Sequence, residues 1–316
     1  MNTGNAETAV AAGAITDTQR AELTHYTQTA FAAAQRVITA YSTSFSWACR
    51  TLPAGTRQDI SAIYAMVRVA DEVVDGTAHA AGLPDDAARA RLDAYEAATQ
   101  EAMATGFSTD LVLHAFADVC RRHDITPALT RPFFASMRAD LQVTDHDAAS
   151  LQDYIYGSAE VVGLMCLQVF FALPGTRAET DAEREDIREG ARRLGAAFQK
   201  VNFLRDLAAD HNDLGRTYFT GSAPGELTEQ RKAELVAEID ADLRASRPAM
   251  ARLDHRVERA VRLAHDLFEE LNRRLEATPA AELSRRRVRV PGPVKARLAA
   301  RAVGSTTVFR RRKARA

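Results

Sequence analysis

The chain has 316 residues, 46% of them hydrophobic and 26% charged, which is enough to bury one large core or two of ordinary size. Only 16 Gly and 10 Pro occur, and this scarcity favours long helices over sheets with many turns. The three cysteines are an odd number without metal-ligand spacing, which argues against a disulfide framework or a zinc site and predicts reduced thiols in a cytoplasmic protein.

Residues 1–20 predict a disordered leader, because no basic stretch precedes their weakly apolar, Ala-rich segment. Gly and Pro motifs then divide the chain into helix-sized pieces with apolar residues at helical spacing, and no segment shows the period-two alternation of strands. These motifs lie at 52–55, 81–86, 105–108, 125–127, 173–176, 220–226 and 291–293. The pattern predicts an all-α fold, with a single helical domain over residues 21–290 and a basic tail over residues 291–316.

Two hydroxyl side chains, Ser42 and Ser44, stand beside Phe45 and Trp47 in the segment YSTSFSWACRTLP. Small hydroxyl groups in this setting could donate hydrogen bonds to a diphosphate. Serine is also a common helix cap, so capping is an equally good interpretation.

The segment YAMVRVADEVVDG, residues 64–76, carries charges within the apolar spacing of a buried helix. On a helix, four of its polar side chains lie within about 60° of one another: Tyr64, Arg68, Asp71 and Asp75. Two aspartates four residues apart repel each other by a few tenths of a kcal/mol, so a cation between them is expected. The other interpretation is a surface helix with charge pairs, such as Arg68 with Glu72.

Two apolar segments follow, RPFFASMRADL at residues 131–141 and an uncharged run at residues 161–176. The second is 16 residues long, which is too short to span a bilayer, and it predicts a buried helix. Both segments offer surface for a long hydrocarbon chain, but for each taken singly an ordinary core is the favoured interpretation.

A second polar stripe lies in LGAAFQKVNFLRDLAAD, residues 194–210. Five of its residues share one helical face: Gly195, Gln199, Asn202, Asp206 and Asp210. Two Asp-x-x-x-Asp stripes in separate helices indicate binding of Mg²⁺, a hard cation that carboxylates share with substrate phosphates. The amides of Gln199 and Asn202 can add neutral oxygens, and Arg68 or Arg205 can bind phosphate in a bidentate way. Gly195 would let another group approach the helix closely.

The C-terminal end is strongly basic: no Asp or Glu follows Glu282, while residues 283–316 contain 12 Lys and Arg. Such a segment suits an anionic surface, either lipid headgroups or nucleic acid, or it is a solvated disordered tail. Nucleic-acid binding would not explain the two acidic stripes. We therefore expect no nucleic-acid partner and a cytoplasmic protein that contacts the inner membrane face peripherally through this end.

Four blocks in order carry a resemblance to a known family: SFSWACRTLP, AIYAMVRVADEVVDG, YIYGSAEVVGLM and LGAAFQKVNFLRDLAADHNDLGRTYF. Over about residues 41–290 the chain resembles the phytoene synthase and squalene synthase family. These enzymes join two isoprenoid diphosphates head to head on an all-helical isoprenoid synthase fold around a central cavity. The resemblance therefore implies an Mg²⁺-dependent prenyltransferase, with Mn²⁺ as a possible substitute.

The resemblance also implies roles for individual residues. Mg²⁺ would be held by Asp71, Asp75, Asn202, Asp206 and Asp210. The diphosphate sites would be lined by Ser42, Ser44, Tyr64, Arg68, Gln199, Asn202 and Arg205. Tyr156 matches a tyrosine near the reacting centre, and Arg287 in RRRVRV falls near an arginine that contacts phosphate.

In the family reaction one allylic diphosphate ionises with metal assistance, and the second substrate attacks to form a cyclopropylcarbinyl diphosphate. A second ionisation leads to phytoene, whereas the squalene branch ends with hydride from NADPH. We expect phytoene formation from geranylgeranyl diphosphate. The alternatives are squalene or dehydrosqualene synthesis from farnesyl diphosphate, or a non-catalytic helical partner protein of the same fold. Ser158 and Glu160 depart from the Val-Ala-Gly run that the family more often shows, which leaves the product open.

Overall fold

A computed structural model of the chain describes residues 15–42, 44–142, 146–214, 218–219, 226–283 and 285–313, except for the side chains of 44–45, 208–214 and 303–313. This part of the chain is helical throughout and contains no strand, which confirms the predicted all-α fold. The helices are Asp17–Tyr41 (α1), Ser44–Cys49 (α2), Ala54–Val74 (α3), Thr77–Ala80 (α4), Asp85–Thr105 (α5), Leu111–His123 (α6), Pro127–Asp140 (α7), Ala148–Ile155 (α8), Val161–Phe171 (α9), Asp181–Leu214 (α10), Glu229–Met250 (α11), His255–Ala277 (α12), Ala280–Leu283 (α13) and Gly292–Lys313 (α14). A π-helical turn, Tyr156–Glu160, joins α8 to α9.

Each predicted Gly or Pro break separates two of these helices. Helix α3 begins directly after Pro53, α7 begins at Pro127, and α5 ends at Gly106, whose φ of 77° is left-handed. The break between α11 and α12 was not predicted, because its signal is a polar cap instead of a Gly or Pro. There the Asp254 side chain accepts a hydrogen bond from the backbone N–H of Arg256.

The N-terminal boundary of the helical domain differs from the prediction. Helix α1 begins at Asp17, inside the segment predicted to be a leader through residue 20. A capping box causes this early start, because the Thr16 hydroxyl accepts from the backbone N–H of Gln19 and the Gln19 side chain accepts from the N–H of Thr16.

The C-terminal boundary also needs correction. Residues 291–316 were predicted to be a tail, but α14 begins at Gly292 and packs on α2 and α12. Leu298, Ala299 and Ala302 form its apolar contact with these helices, and Ala302 is buried. Their i, i+1 and i+4 spacing is a helical stripe that the surrounding basic residues obscured.

The main core surrounds α3 and α9, and it includes the fully buried Phe133 and Phe134 of α7. At these two positions, segment 131–141 therefore belongs to the hydrophobic core. The continuous helical stretch Ala148–Phe171 is long and apolar enough to cross a membrane, but half of it is buried inside the fold. Because its α9 part packs on α3, α7 and α10, it has the surroundings of a core helix.

Two glycines fix the position of the π-helical turn. A Cβ atom at Gly157 would lie 2.1 Å from Ser136 Oγ and 2.3 Å from the Pro132 carbonyl oxygen of α7. A Cβ atom at Gly195 would lie 2.8 Å from the carbonyl oxygen of Ala159 in the turn. The close approach predicted at Gly195 is therefore made by the backbone of the π-helical turn.

Candidate functional site

The first acidic stripe lies on the last two turns of α3. Arg68 Nη1 is 3.8 Å from Asp71 Oδ2, and the same guanidinium forms an ion pair with Glu72. Its centre also lies 4.8 Å from the centroid of the Tyr41 ring. The charge pair expected for a surface helix is thus present, on the same helix face as the aspartates.

Asp71 and Asp75 form a region of excess negative charge. Burial and the nearby carboxylates of Asp75, Asp140 and Glu72 raise the pKa of Asp71 well above its usual value, although Arg68 opposes the shift. Asp75 directly follows α3, where its charge also opposes the helix dipole, and its backbone N–H donates to the Asp71 carbonyl oxygen at 2.8 Å. A divalent cation bound between these carboxylates would relieve the repulsion that Arg68 only partly offsets.

Asp75→Asn is therefore expected to stabilise the metal-free protein by about 1 kcal/mol, because it removes like-charge repulsion and an unfavourable dipole interaction. Urea unfolding in EDTA measures this effect. The same substitution should abolish the stabilisation that Mg²⁺ and inorganic diphosphate give to the wild type. A less stable metal-free Asp75→Asn variant would contradict this description of the stripe.

Two predicted diphosphate residues meet beside this stripe. The Ser42 side chain is hydrogen-bonded to Tyr64, and burial raises the pKa of the Tyr64 phenol. Ser42 also ends α1, where its backbone N–H donates to the Ile38 carbonyl oxygen at 3.0 Å. Ser44 is the first residue of α2, and its side chain lies outside the described residues.

The second stripe lies on α10, where Gln199, Asn202 and Asp206 are partly buried. Arg205 Nε donates to Asp206 Oδ1 at 2.9 Å. From the other side, Arg287 Nε and Nη2 lie 2.6 and 3.1 Å from Oδ1 and Oδ2 of Asp206. Two guanidinium groups therefore hold one carboxylate, and Arg287 lies beside the α10 stripe. The side chain of Asp210 lies outside the described residues.

Lys295, in the first turns of α14, extends this basic region. Burial and the nearby charges of Arg205 and Arg289 lower the pKa of the Lys295 ammonium group. With Arg287, these residues form a basic cluster, defined as Arg205, Arg287, Arg289 and Lys295. The sequence prediction missed Lys295, because residues after 290 were assigned to a tail. A concentration of cations that lowers a lysine pKa is suited to binding a polyanion.

Two tyrosines of the YIYG segment have different surroundings. Tyr156 is 36% exposed and lines a cavity of about 720 Å³ between α8, α10 and α11, to which no residue of α3 contributes. Tyr154, which is only 4% exposed, donates to Asp140 Oδ2 at 2.8 Å, and Asp140 is one of the carboxylates that raise the pKa of Asp71. The pKa of Tyr154 is raised well above the usual value by burial and then by Asp140. Tyr154 is therefore connected to the first stripe through Asp140.

The two residues that depart from the family run, Ser158 and Glu160, lie in and beside the same cavity and turn. Glu160 lines the cavity beside Arg192 and Asp242, and burial raises the pKa of its carboxyl group. Ser158 lies inside the turn, where its buried hydroxyl has no hydrogen-bond partner among the described residues. Its usual acceptor, the Tyr154 carbonyl oxygen, instead receives a hydrogen bond from Ser136 Oγ at 3.1 Å.

Aromatic and polar contacts connect the two stripes. Tyr218, which follows α10, stacks on Phe203 with ring centroids 3.9 Å apart, and its hydroxyl donates to Asp140 Oδ1 at 3.3 Å. Asp140 in turn lies close enough to Asp71 to raise its pKa. Phe203 is adjacent to Asn202, so this chain of contacts runs from the α10 stripe to the α3 stripe.

These residues fit Mg²⁺. The stripes supply carboxylate and amide oxygens, which are the ligand types that this ion prefers. A divalent cation would relieve the repulsion among the carboxylates around Asp71. The basic cluster could bind the phosphate groups of a ligand that also coordinates the ion. Asp71, Asp75, Asn202 and Asp206 are the described residues that would hold the ion.

Comparisons with known proteins identify the family of this chain. The squalene/phytoene synthase family model matches residues 38–230. A 15-cis-phytoene synthase of Paracoccus sp. is 32% identical over 202 residues, covering 63% of this chain and 61% of the relative. A 4,4'-diapophytoene synthase of Staphylococcus haemolyticus is 30% identical over 183 residues, covering 57% of this chain and 58% of the relative. The match thus spans about three fifths of the length of these curated relatives.

Solved structures share the fold. A dehydrosqualene synthase in complex with a ligand superposes with a TM-score of 0.70 at 21% identity, covering 90% of this chain and 99% of that chain. The squalene synthase HpnC from Alicyclobacillus acidocaldarius gives a TM-score of 0.63 at 20% identity, covering 80% and 96% of the two chains. At these identities the comparison establishes the helical architecture.

Proposed function

This chain belongs to the squalene/phytoene synthase family, and from that premise we propose that it joins two geranylgeranyl diphosphates head to head to give phytoene. One observation carries the proposal: the carboxylate stripe of α3 and the stripe of α10 are connected through Asp140 and Tyr218, with a basic cluster beside Asp206. A site with both carboxylates for a divalent cation and cations for phosphate suits a diphosphate substrate.

The residues of the basic cluster would bind the diphosphate. Arg205 and Arg287 neutralise Asp206 in the free protein, and a diphosphate would offer them stronger bidentate partners. Their transfer to phosphate oxygens would free the Asp206 carboxylate for the ion. Bound Mg²⁺ would stabilise the negative charge that develops on the departing diphosphate.

The proposed reaction proceeds in two stages through a cyclopropylcarbinyl diphosphate. Each stage forms or rearranges carbon–carbon bonds and releases one diphosphate and one proton. The carbocations involved require a chamber from which water is excluded. Phe198, one turn before Asn202 on α10, stacks on Phe268 of α12 with ring centroids 3.9 Å apart, and this pair supplies apolar surface beside the stripe.

A shorter substrate is the second candidate. The relative from Staphylococcus haemolyticus is named 4,4'-diapophytoene synthase, which favours farnesyl diphosphate as an alternative substrate. A squalene product would also require NADPH. The third interpretation, a non-catalytic partner protein, predicts loss of the acidic motifs, yet all four aspartates occur in the sequence.

Product identification tests the proposed function. Purified protein and Mg²⁺ are incubated with geranylgeranyl or farnesyl diphosphate, each with and without NADPH, and the extracted hydrocarbons are identified by mass spectrometry. Phytoene from the longer substrate without NADPH is the expected result. Squalene or dehydrosqualene from the shorter substrate would favour the second candidate, and no hydrocarbon from any mixture would favour the non-catalytic interpretation.

We also propose that the protein is cytoplasmic and contacts the inner membrane face through the basic end of α14, without a nucleic-acid partner. Arg297 and Arg301 are exposed on this helix, whereas Ala302 faces the fold, and five more basic residues follow residue 303.

A chain ending at residue 303 is expected to bind vesicles containing anionic lipid at least about 10-fold more weakly than the full chain, because each basic residue near the surface contributes roughly 1 kcal/mol. Co-sedimentation measures binding, with zwitterionic vesicles as the control. Equal binding of both chains to anionic vesicles would refute the proposal.

A further inference from the structure

Asp140 is a partly buried acid that no predicted role includes. It is the last residue of α7, where a carboxylate opposes the helix dipole. Both of its oxygens receive tyrosine hydroxyls: Oδ2 from Tyr154 at 2.8 Å and Oδ1 from Tyr218 at 3.3 Å. A carboxylate whose two oxygens each accept a hydroxyl is held in one orientation.

The two tyrosines come from different parts of the fold. Tyr154 precedes the π-helical turn, and Tyr218 follows α10. Their side chains are 4% and 7% exposed, and their ring centroids are 5.4 Å apart. Tyr218 stacks against Phe203 on one side and His146 on the other, with centroid distances of 3.9 and 5.9 Å. Aromatic packing therefore fixes the rings, and Asp140 fixes the hydroxyl groups.

This arrangement determines what Tyr154 can do. Its hydroxyl donates to Asp140 and also interacts with the Tyr218 hydroxyl, and a phenol oxygen keeps a lone pair beyond these contacts. Donation to a carboxylate also makes a phenol oxygen more electron-rich. An electron-rich, preoriented oxygen next to the Asp71 stripe is suited to stabilising a carbocation without providing a mobile water.

We infer that Asp140 is a positioning residue, which holds the Tyr154 hydroxyl toward the reacting centre and, through Tyr218, aligns the α10 stripe with the α3 stripe. This inference rests on the proposed function, because it concerns the same reaction. In this role Asp140 acts through the two tyrosine hydroxyls that its oxygens accept.

The test compares Asp140→Asn, Tyr154→Phe and the double variant. Each single variant is expected to lower kcat by about 10- to 100-fold, a size typical of partners that orient a functional group. KM and the Mg²⁺ concentration dependence should change by less than about 3-fold. The double variant should be no slower than the slower single variant, because both changes break the same hydrogen bond. Asp153→Asn, an exposed acid on α8, is the matched control and should retain wild-type kcat.

Tyr154→Phe removes only a hydroxyl, so it keeps the test decisive if Asp140→Asn does not fold. A purely structural role would lower the unfolding temperature without changing kcat, and independent roles would make the two losses multiply. Either result, or wild-type kcat in Tyr154→Phe, would overturn the inference while leaving the proposed function intact. A wild-type protein that forms no hydrocarbon would instead overturn the proposed function, and this inference with it.

Discussion

Asp71→Asn and Asp206→Asn are each expected to lower the rate of hydrocarbon formation by about 10³-fold or more. Asn is nearly the same size as Asp but lacks the charge, so each variant removes one anionic ligand from a stripe while conserving its packing. In Asp206→Asn the loss has a second cause, since Arg205 and Arg287 are left without the carboxylate that orients them. Steady-state turnover at saturating Mg²⁺ measures the effect.

Stability and helix content separate a ligand effect from a folding effect. Asp71→Asn should retain the helical circular dichroism and should unfold at a higher urea concentration than the metal-free wild type, because neighbouring carboxylates raise the pKa of Asp71. Asp186→Asn, an exposed acid on α10, should retain normal turnover. Normal turnover in Asp71→Asn or Asp206→Asn would show that the stripes do not bind the catalytic metal.

Gly157→Ala is expected to lower the free energy of unfolding by about 3 kcal/mol. The added Cβ atom would lie 2.1 Å from Ser136 Oγ and 2.3 Å from the Pro132 carbonyl oxygen, so the π-helical turn would have to move away from α7. That movement would also displace Tyr154 from Asp140 and lower turnover. Urea unfolding measures the first effect, and the hydrocarbon assay measures the second.

Gly55→Ala is the matched control for this prediction. A Cβ atom at Gly55, in the first turn of α3, would meet no atom within 4 Å, and Ala has the higher helix propensity. Gly55→Ala should therefore be as stable as the wild type or slightly more stable. If Gly157→Ala has wild-type stability, the close packing between the turn and α7 is wrong.

The sequence alone predicted the parts of the site that depend on local periodicity. Asp71 and Asp75 share a face because they are four residues apart on one helix, and the same holds for Gln199, Asn202 and Asp206. The Gly and Pro breaks also matched helix ends, because these residues restrict the backbone directly.

Features that depend on tertiary packing could not be predicted from the sequence. The rotation of the helix decides whether Tyr154 or Tyr156 contacts Asp140. The close contacts of Gly157 with α7 and of Gly195 with the π-helical turn determine this rotation. Asp140 lies 14 residues before Tyr154 and 78 before Tyr218 in the chain, so no spacing rule connects them. Lys295 was missed because only the packing of α14 brings it near Arg205.

The stoichiometry of turnover tests whether the protein joins two prenyl diphosphates head to head. The wild-type protein is given geranylgeranyl diphosphate, and released diphosphate and C40 hydrocarbon are quantified together, with Mg²⁺ or with EDTA. Head-to-head condensation predicts two diphosphates per hydrocarbon with Mg²⁺ and no turnover in EDTA. Release of one diphosphate per molecule of prenyl alcohol, or equal turnover in EDTA, would contradict the account.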